Sequence, residues 1–357
     1  MFELLLRFSL RFRWAILSTV FLILALGAVS YRYISIDAVP DITNVQVQIN
    51  TAAPGYSPLE VEQRVTFPIE NVMAGLPGLE LSRSVSRYGL SQVSIIFHDS
   101  TSIYFARQLV SERLQQIRGM LPPDINPEMG PIATGLGEIF LWTVDADPDA
   151  RNPEGNPYSL SELRTLQDWV IKPQMRRVPG VTDVNTIGGA LRQFQVLPEP
   201  AKLMAYGLSF RDVLTALERN NRNAGAGYIE RNGEQYLLRS PGQVQSLAEI
   251  KSIRVTSSNG TPVLMGDIAQ VVEGTELRNG AATADGHEVV LGTVFMLIGE
   301  NSRDVSEAVS ERLKEVNQSL PQGVTANPVY NRTTLVDRTI ETVKKNLLEG
   351  ALLVIVI

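Results

Sequence analysis

Apolar and polar positions alternate with different periods in different stretches of the chain. Residues 14–30 (WAILSTVFLILALGAVS) carry no charge and are closed by Tyr31, Arg32 and Tyr33. A bilayer core needs ~20 apolar helical residues, so this run with its aromatic flank predicts a first transmembrane helix over 14–33. Arg7, Arg11 and Arg13 precede it, and Asp37 and Asp41 follow. That asymmetry puts residues 1–13 in the cytoplasm. A cleaved secretory signal is the competing reading, because Gly27, Ala28 and Ser30 close the run; its length favours the span. Near the other end, Val336, Ile340, Val343 and Leu347 recur at helical spacing before ALLVIVI (351–357). A buried terminal helix is one reading of 333–357. The expected one is an amphipathic helix leading into a truncated second transmembrane helix, with the chain the N-terminal part of something larger.

Between these ends the pattern is globular, and it repeats. VSERLQQIRGMLPPDINPEMGP (110–131) is matched by VSERLKEVNQSLPQGVTANPVY (309–330), aligning Leu114, Ile117, Leu121 and Pro122 with Leu313, Val316, Leu320 and Pro321. Leu76-Pro77-Gly78-Leu79 and Val178-Pro179-Gly180-Val181 form a second, weaker match in the same order. Such internal repeats mark a duplicated unit. The first copy predicts strand 45–51, helix 57–75, strands 80–86 and 90–98, helix 102–120 and strand 125–132. The second predicts strand 138–145, helix 160–177 and strand 182–188, then strand 288–298, helix 302–319 and strand 324–330. Both follow the β-α-β-β-α-β order of the split βαβ, ferredoxin-like unit. The interruption at 190–280 contains a helix (209–220) and a hairpin (226–240) turning at Asn232-Gly233. The expected fold class is α+β: two such units, a small α+β insertion in the second, and flanking membrane helices.

Composition narrows the function. The 357 residues are 44% hydrophobic and 20% charged, enough for a core and too apolar for a disordered chain. A net charge of −6 argues against a nucleic-acid partner. With no cysteine, thiolate metal sites and a cysteine nucleophile are excluded. Two histidines, His98 and His287, both in turn-like contexts, supply neither a histidine-rich zinc site nor a hydrolase triad, so no enzyme is expected.

Five stretches carry a family resemblance: 37–58 (DAVPDITNVQVQINTAAPGYSP), 86–97 (SRYGLSQVSIIF), 130–144 (GPIATGLGEIFLWTV), 163–181 (LRTLQDWVIKPQMRRVPGV) and 201–221 (AKLMAYGLSFRDVLTALERNN). They resemble the resistance-nodulation-division transporters, within them the heavy-metal efflux subgroup, and most closely its cobalt-zinc-cadmium exporters. The resemblance implies porter subdomain 1 over 34–134, porter subdomain 2 over 135–189 and 281–332, and a docking insertion over 190–280. It implies a cation/proton antiporter of the bacterial inner membrane with its bulk in the periplasm. The implied partners are two further copies in a homotrimer, a periplasmic adaptor, an outer-membrane channel and the lipid bilayer. No cofactor is implied; a divalent metal ion such as Zn, Co or Cd is the transported substrate. The family's proton-relaying acids and much of its metal path fall beyond residue 357.

Two carboxylates are candidate transient metal contacts. Glu138, in GLGEIFLW (135–142), opens an apolar strand entered through glycines, and the resemblance borders it on the substrate cleft; an idle strand-end glutamate is the equal alternative. Asp168 lies on a helix where a salt bridge to Arg164 or Lys172 is the simpler account, leaving it a second-rank ligand. Asp145, Asp147 and Asp149 read as a solvated loop. The eight methionines are scattered and form no soft-metal cluster, which favours divalent over monovalent cargo. Two other functions stay open. A non-transporting, membrane-anchored periplasmic binding or adaptor module would show coiled-coil heptads, which are absent. A pump for organic drugs would favour an aromatic-rich cleft, and aromatics are 7%.

Overall fold

A computed structural model describes residues 11–33, 43–117, 119–133, 135–240, 242–258, 260–278 and 280–356. Arg7, Asp37 and Asp41, on which the expected orientation of the first helix rests, lie outside the described residues. The chain divides into two compact units: Met1–Val144, Trp169–Thr186 and Leu291–Ile357 form one, Asp145–Asp168 and Ile187–Val290 the other.

Among the described residues the first unit contains helix α1 (Arg13–Tyr33) and helix α10 (Arg332–Val356). Both segments are helical, as expected from their patterning. Among the described residues, however, no helix is long and apolar enough to cross a membrane. The uncharged run of α1 is seventeen residues within a helix of twenty-one. In α10, Lys344, Lys345 and Glu349 precede the apolar residues 351–356. Both helices nonetheless expose apolar side chains, Trp14, Phe21 and Ile23 on α1 and Leu347, Leu352 and Val354 on α10.

The first copy of the repeat folds as β1 (Gln46–Ala52), α2 (58–73), β2 (Leu79–Arg87), β3 (Leu90–Phe97), α3 (Ile103–Ile117) and β4 (Pro127–Met129). Its antiparallel sheet has the order β2-β3-β1-β4. Alternate residues Val47, Ile49, Val93, Ile95 and Phe97 form a core with Val65, Ile69 and Met73 of α2 and Val110, Leu114 and Ile117 of α3. The strand expected over 125–132 is only three residues long, because Pro127 lacks the N–H a longer ladder needs.

In the second copy β5 (Glu138–Ala146) lies between β14 (His287–Met296) and β15 (Val324–Asn331), and β6 (Val181–Ile187) flanks β14. Helix α9 (Ser302–Asn317) buries Val309, Leu313 and Val316, the counterparts of Val110, Leu114 and Ile117. Gly292 lies directly against the buried Trp142: a Cβ there would stand 2.3 Å from the indole Cε2.

Helix α2 and helix α4 (160–175) share a construction that the sequence pattern does not announce. Each starts with a serine–glutamate capping box, Ser57/Glu60 and Ser159/Glu162. Each buries side chains four residues apart: Val61, Val65, Ile69 and Met73 in one, Leu163, Gln167, Ile171 and Met175 in the other. These match at the constant offset of 102 residues that takes Leu76 to Val178. Each also contains a π turn, Glu62–Thr66 and Gln167–Ile171. Pro68 and Pro173 follow two residues later. A proline ring presses on the carbonyl four residues back, here Arg64 and Trp169 inside the π turns, and a widened turn makes room.

Glu162 is the better-held cap. Its carboxylate accepts from the Ser159 N–H and hydroxyl, each at 2.8 Å, and from Asn152 Nδ2 at 2.7 Å. Burial acts to raise its pKa, but the Ser159 N–H, the Asn152 amide, the Ser159 hydroxyl and the charge of Arg192 outweigh it, so the pKa is lowered. A depressed carboxyl contributes stability above its unfolded pKa of ~4.3 and loses it as pH falls through the folded value. Wild type should therefore lose more stability than Glu162→Gln between about pH 5 and pH 3, read as urea midpoints. Parallel losses would show that the cap contributes nothing.

The second unit contains β7 (Arg192–Pro198), α5 (Pro200–Ala205), α6 (Phe210–Asn220), β8 (Ala224–Arg231), β9 (Glu234–Ser240), α7 (Leu247–Lys251), β10 (Arg254–Ser258), β11 (Thr261–Leu264), α8 (Met265–Ile268), β12 (Ala269–Thr275) and β13 (Ala282–Ala284). Strands β7 and β12 pair antiparallel over Val271, Val196 and Leu197. Leu203, Val213, Ile250, Ile253, Met265 and Val271 supply the core. The expected helix and hairpin are both present, and Asn232 and Gly233 turn the hairpin with φ of 57° and 79°.

Candidate functional site

Glu138 is the first residue of β5, exposed, while the next two, Ile139 and Phe140, are fully buried. The chain enters the strand through a 3₁₀ turn, Gly135–Gly137. Glycines there invite a reading of backbone freedom; the packing shows the opposite. Gly137 is buried, and a Cβ on it would stand 3.3 Å from the Met296 carbonyl oxygen. The buried Arg332 donates from Nη1 to the Leu136 carbonyl. Glu138 thus stands in solvent at the start of a strand whose entry is anchored by packing.

Asp168 lies in the π turn of α4. Arg164 Nε approaches its Oδ2 at 2.7 Å, with both side chains about one-fifth exposed. The same guanidinium donates from Nη1 to the Gly188 carbonyl at 2.8 Å. Of the two expected partners, Arg164 is the one in place. Asp168 would have to exchange a well-ordered guanidinium for a metal ion.

The remaining candidates take local roles. His98 opens a turn, accepting the Thr101 N–H on its carbonyl, with Nδ1 3.8 Å from Glu80. His287 follows Asp285 and Gly286, both at positive φ. The Asp147 carbonyl accepts the Ala150 N–H in the acidic loop. Among the described residues no three His, Asp or Glu side chains converge as a metal-binding group. Sequence reading missed Arg332, whose role lies in a fold contact 196 residues away. It also missed Arg107, whose burial depresses its pKa while Nη1 donates to the Gly130 carbonyl at 2.7 Å. No local motif marks either. The second unit has a groove of about 710 Å³ over Val196, Leu217, Val244 and Ile250, rimmed by Glu218 and Arg222.

The family described as AcrB/AcrD/AcrF matches residues 5–357. The chain is 60% identical over 357 residues to the cobalt-zinc-cadmium resistance protein CzcA of Cupriavidus metallidurans, covering all of this chain and 34% of that protein. It is 45% identical over 381 residues to the nickel and cobalt resistance protein CnrA of the same organism, covering 100% of this chain and 35% of that one. A crystal structure of a heavy metal efflux pump superposes with a TM-score of 0.85 at 32% identity, over 95% of this chain and 33% of the other. The chain spans about a third of the length of the curated relatives it matches.

Proposed function

The chain belongs to the AcrB/AcrD/AcrF family, and from that premise we propose that it supplies the first porter and docking portions of a proton-driven heavy-metal efflux pump. The observation that carries this reading is the match over all 357 residues at 60% identity to a protein named for cobalt, zinc and cadmium resistance. The relatives are named for resistance and efflux rather than for a catalysed reaction, and this chain is no enzyme. A divalent cation is the cargo in this reading, supported by the scattered methionines.

Both sheets are read as ferredoxin-like porter subdomains. The β-α-β-β-α-β order and the β2-β3-β1-β4 arrangement support this. The 190–280 insertion is the docking element toward an adaptor and outer-membrane channel, in a homotrimer. Helices α1 and α10 lie at the lipid of the inner membrane, with the sheets in the periplasm. Their outward-facing Phe21, Ile23, Leu352 and Val354 support that placement, since apolar surface is favoured out of water. Glu138 is the carboxylate that meets the cation, and Asp168 is second to it. A transport site must release its cargo, so a single exposed oxygen ligand suits it better than a closed cage.

The test grafts residues 1–357 onto the remaining two-thirds of the Cupriavidus protein in a pump-deleted strain. Zinc and cobalt resistance should return, and Glu138→Gln in the same hybrid should weaken it at limiting metal with membrane levels unchanged. A well-expressed hybrid without resistance would overturn the pump reading. A Glu138→Gln hybrid as resistant as its parent would remove only the role of Glu138.

A further inference from the structure

The two copies of the repeat are joined by residues 130–137 (GPIATGLG), which lead directly into Glu138. Gly130, Gly135 and Gly137 give the unfolded connector unusual freedom, so a fixed place for Glu138 has to be built by contacts from outside it. The structure supplies such contacts at both ends. At the start, the Gly130 N–H donates to the Gln48 carbonyl of β1 at 2.7 Å, and the Gly130 carbonyl accepts Arg107 Nη1 of α3 at 2.7 Å. Both partners belong to the first copy. At the far end, the buried Gly137 packs against the Met296 carbonyl, and Arg332 Nη1 donates to the Leu136 carbonyl. Met296 ends β14 and Arg332 follows directly on β15, both strands of the second copy. Between the pinned ends, Pro131 and Gly135 are exposed and Ile132 and Ala133 half-buried.

Arg332 is itself held. It opens α10 in a buried first turn with Thr333 and Val336. The Thr333 N–H donates to Asn331 Oδ1 at 2.9 Å, and Asp337 pairs with Arg303 of α9 at 3.0 Å. A buried guanidinium costs free energy unless its donors are met, whereas a half-buried turn finds water for a carbonyl. Satisfying one carbonyl is therefore a weak reason to bury an arginine. Fixing the turn against the start of α10 is a stronger one.

We infer that Arg332 is a positioning residue for Glu138: it ties the entry of the carboxylate's strand to the second copy, while Arg107 ties the opposite end of the connector to the first. Any movement between the two copies is then taken up in residues 131–135 and does not reach the carboxylate. The inference rests on the reading of Glu138 as the contact for the cation, and it adds what holds that contact in place and where the chain yields.

Two measurements keep the inference apart from the pump reading. In the whole chain in detergent, Arg332→Met should speed deuterium exchange of the 136–138 amides about tenfold, as expected for loss of a charge-assisted hydrogen bond, and leave β1 unchanged. Arg332→Lys, which keeps a donor, should restore much of the protection. In the hybrid pump, Arg332→Met should weaken zinc resistance where Glu138 is present and have no further effect beside Glu138→Gln. Gly137→Ala, which lifts the same turn from Met296, should act like Arg332→Met and serves in its place if that variant fails to reach the membrane. Exchange unchanged at 136–138, or speeded equally in β1, would overturn the inference. So would equal losses of resistance with and without Glu138. A parent hybrid without resistance overturns the pump reading alone, and the exchange result then decides whether Arg332 holds the turn.

Discussion

Trp142→Ala is expected to destabilise the first unit by about 3–5 kcal/mol, the usual range for deleting a fully buried large aromatic. Trp142 is completely buried on β5, with the Phe140 ring 6.3 Å away at a 47° tilt. Its indole occupies the space left by the missing side chain of Gly292 on β14. The two positions are therefore coupled. Gly292→Ala alone drives a methyl into the indole, an overpacking worth about 1–3 kcal/mol. Trp142→Phe alone leaves a gap of similar shape, so the pair together should cost less than the two losses added. Urea unfolding of wild type and the four variants measures this directly. A strictly additive double variant, or a Trp142→Ala loss under about 0.5 kcal/mol, would contradict the packing described. The consequence reaches the candidate site, because Glu138 is the first residue of the strand that Trp142 fixes.

Gly188→Ala should produce a loss of similar size in the second unit, by a different route. Gly188 has φ +81°, and a Cβ there would stand 2.2 Å from the Val289 carbonyl oxygen and 3.2 Å from the Ala282 nitrogen. A left-handed residue other than glycine costs roughly 1–2 kcal/mol, and backbone atoms cannot rotate aside as a side chain can. Its carbonyl also accepts the Arg164 guanidinium that holds Asp168, so displacement of the turn loosens that ion pair. Gly286 makes the control. Its φ of +82° is nearly the same, but nothing lies within 4 Å of a Cβ there. Gly286→Asn should change the melting temperature little, since asparagine tolerates the left-handed region. Equal effects at 188 and 286 would show that the close approach is not what requires glycine.

Much of the fold was legible because the repeat and the turn chemistry are local. Val110, Leu114 and Ile117 mark the buried face of α3, and their counterparts mark that of α9. The Asn232-Gly233 pair marks a hairpin through its preference for positive φ. The insertion was legible only in part, since the pairing of β7 with β12 joins segments some 80 residues apart and no local pattern encodes it. The apolar ends were read from composition as a span and the beginning of another; their helices are present, and among the described residues no helix is long and apolar enough to cross a membrane. At the candidate site, the Arg164–Asp168 pair follows from four-residue helical spacing. The anchoring of Glu138 through Arg332 and Gly137 does not, because it depends on contacts made after folding.

The π turns of α2 and α4 change how residues in these helices should be counted. On a helix of 3.6 residues per turn, four-residue steps each overrun a full rotation by about 40°, so three steps drift by about 120°. Val61 and Met73 would then face different directions, as would Leu163 and Met175. A locally wider turn takes up the excess rotation, and all four side chains of each series stay buried. The wide turn thus works as a phase corrector, uncoupling residue number from angular position. A helix with such a turn can absorb the gain of a residue at one point along its length while the segments on either side keep their facing. Helical-wheel projections through 62–66 or 167–171 should accordingly be drawn as two wheels rather than one.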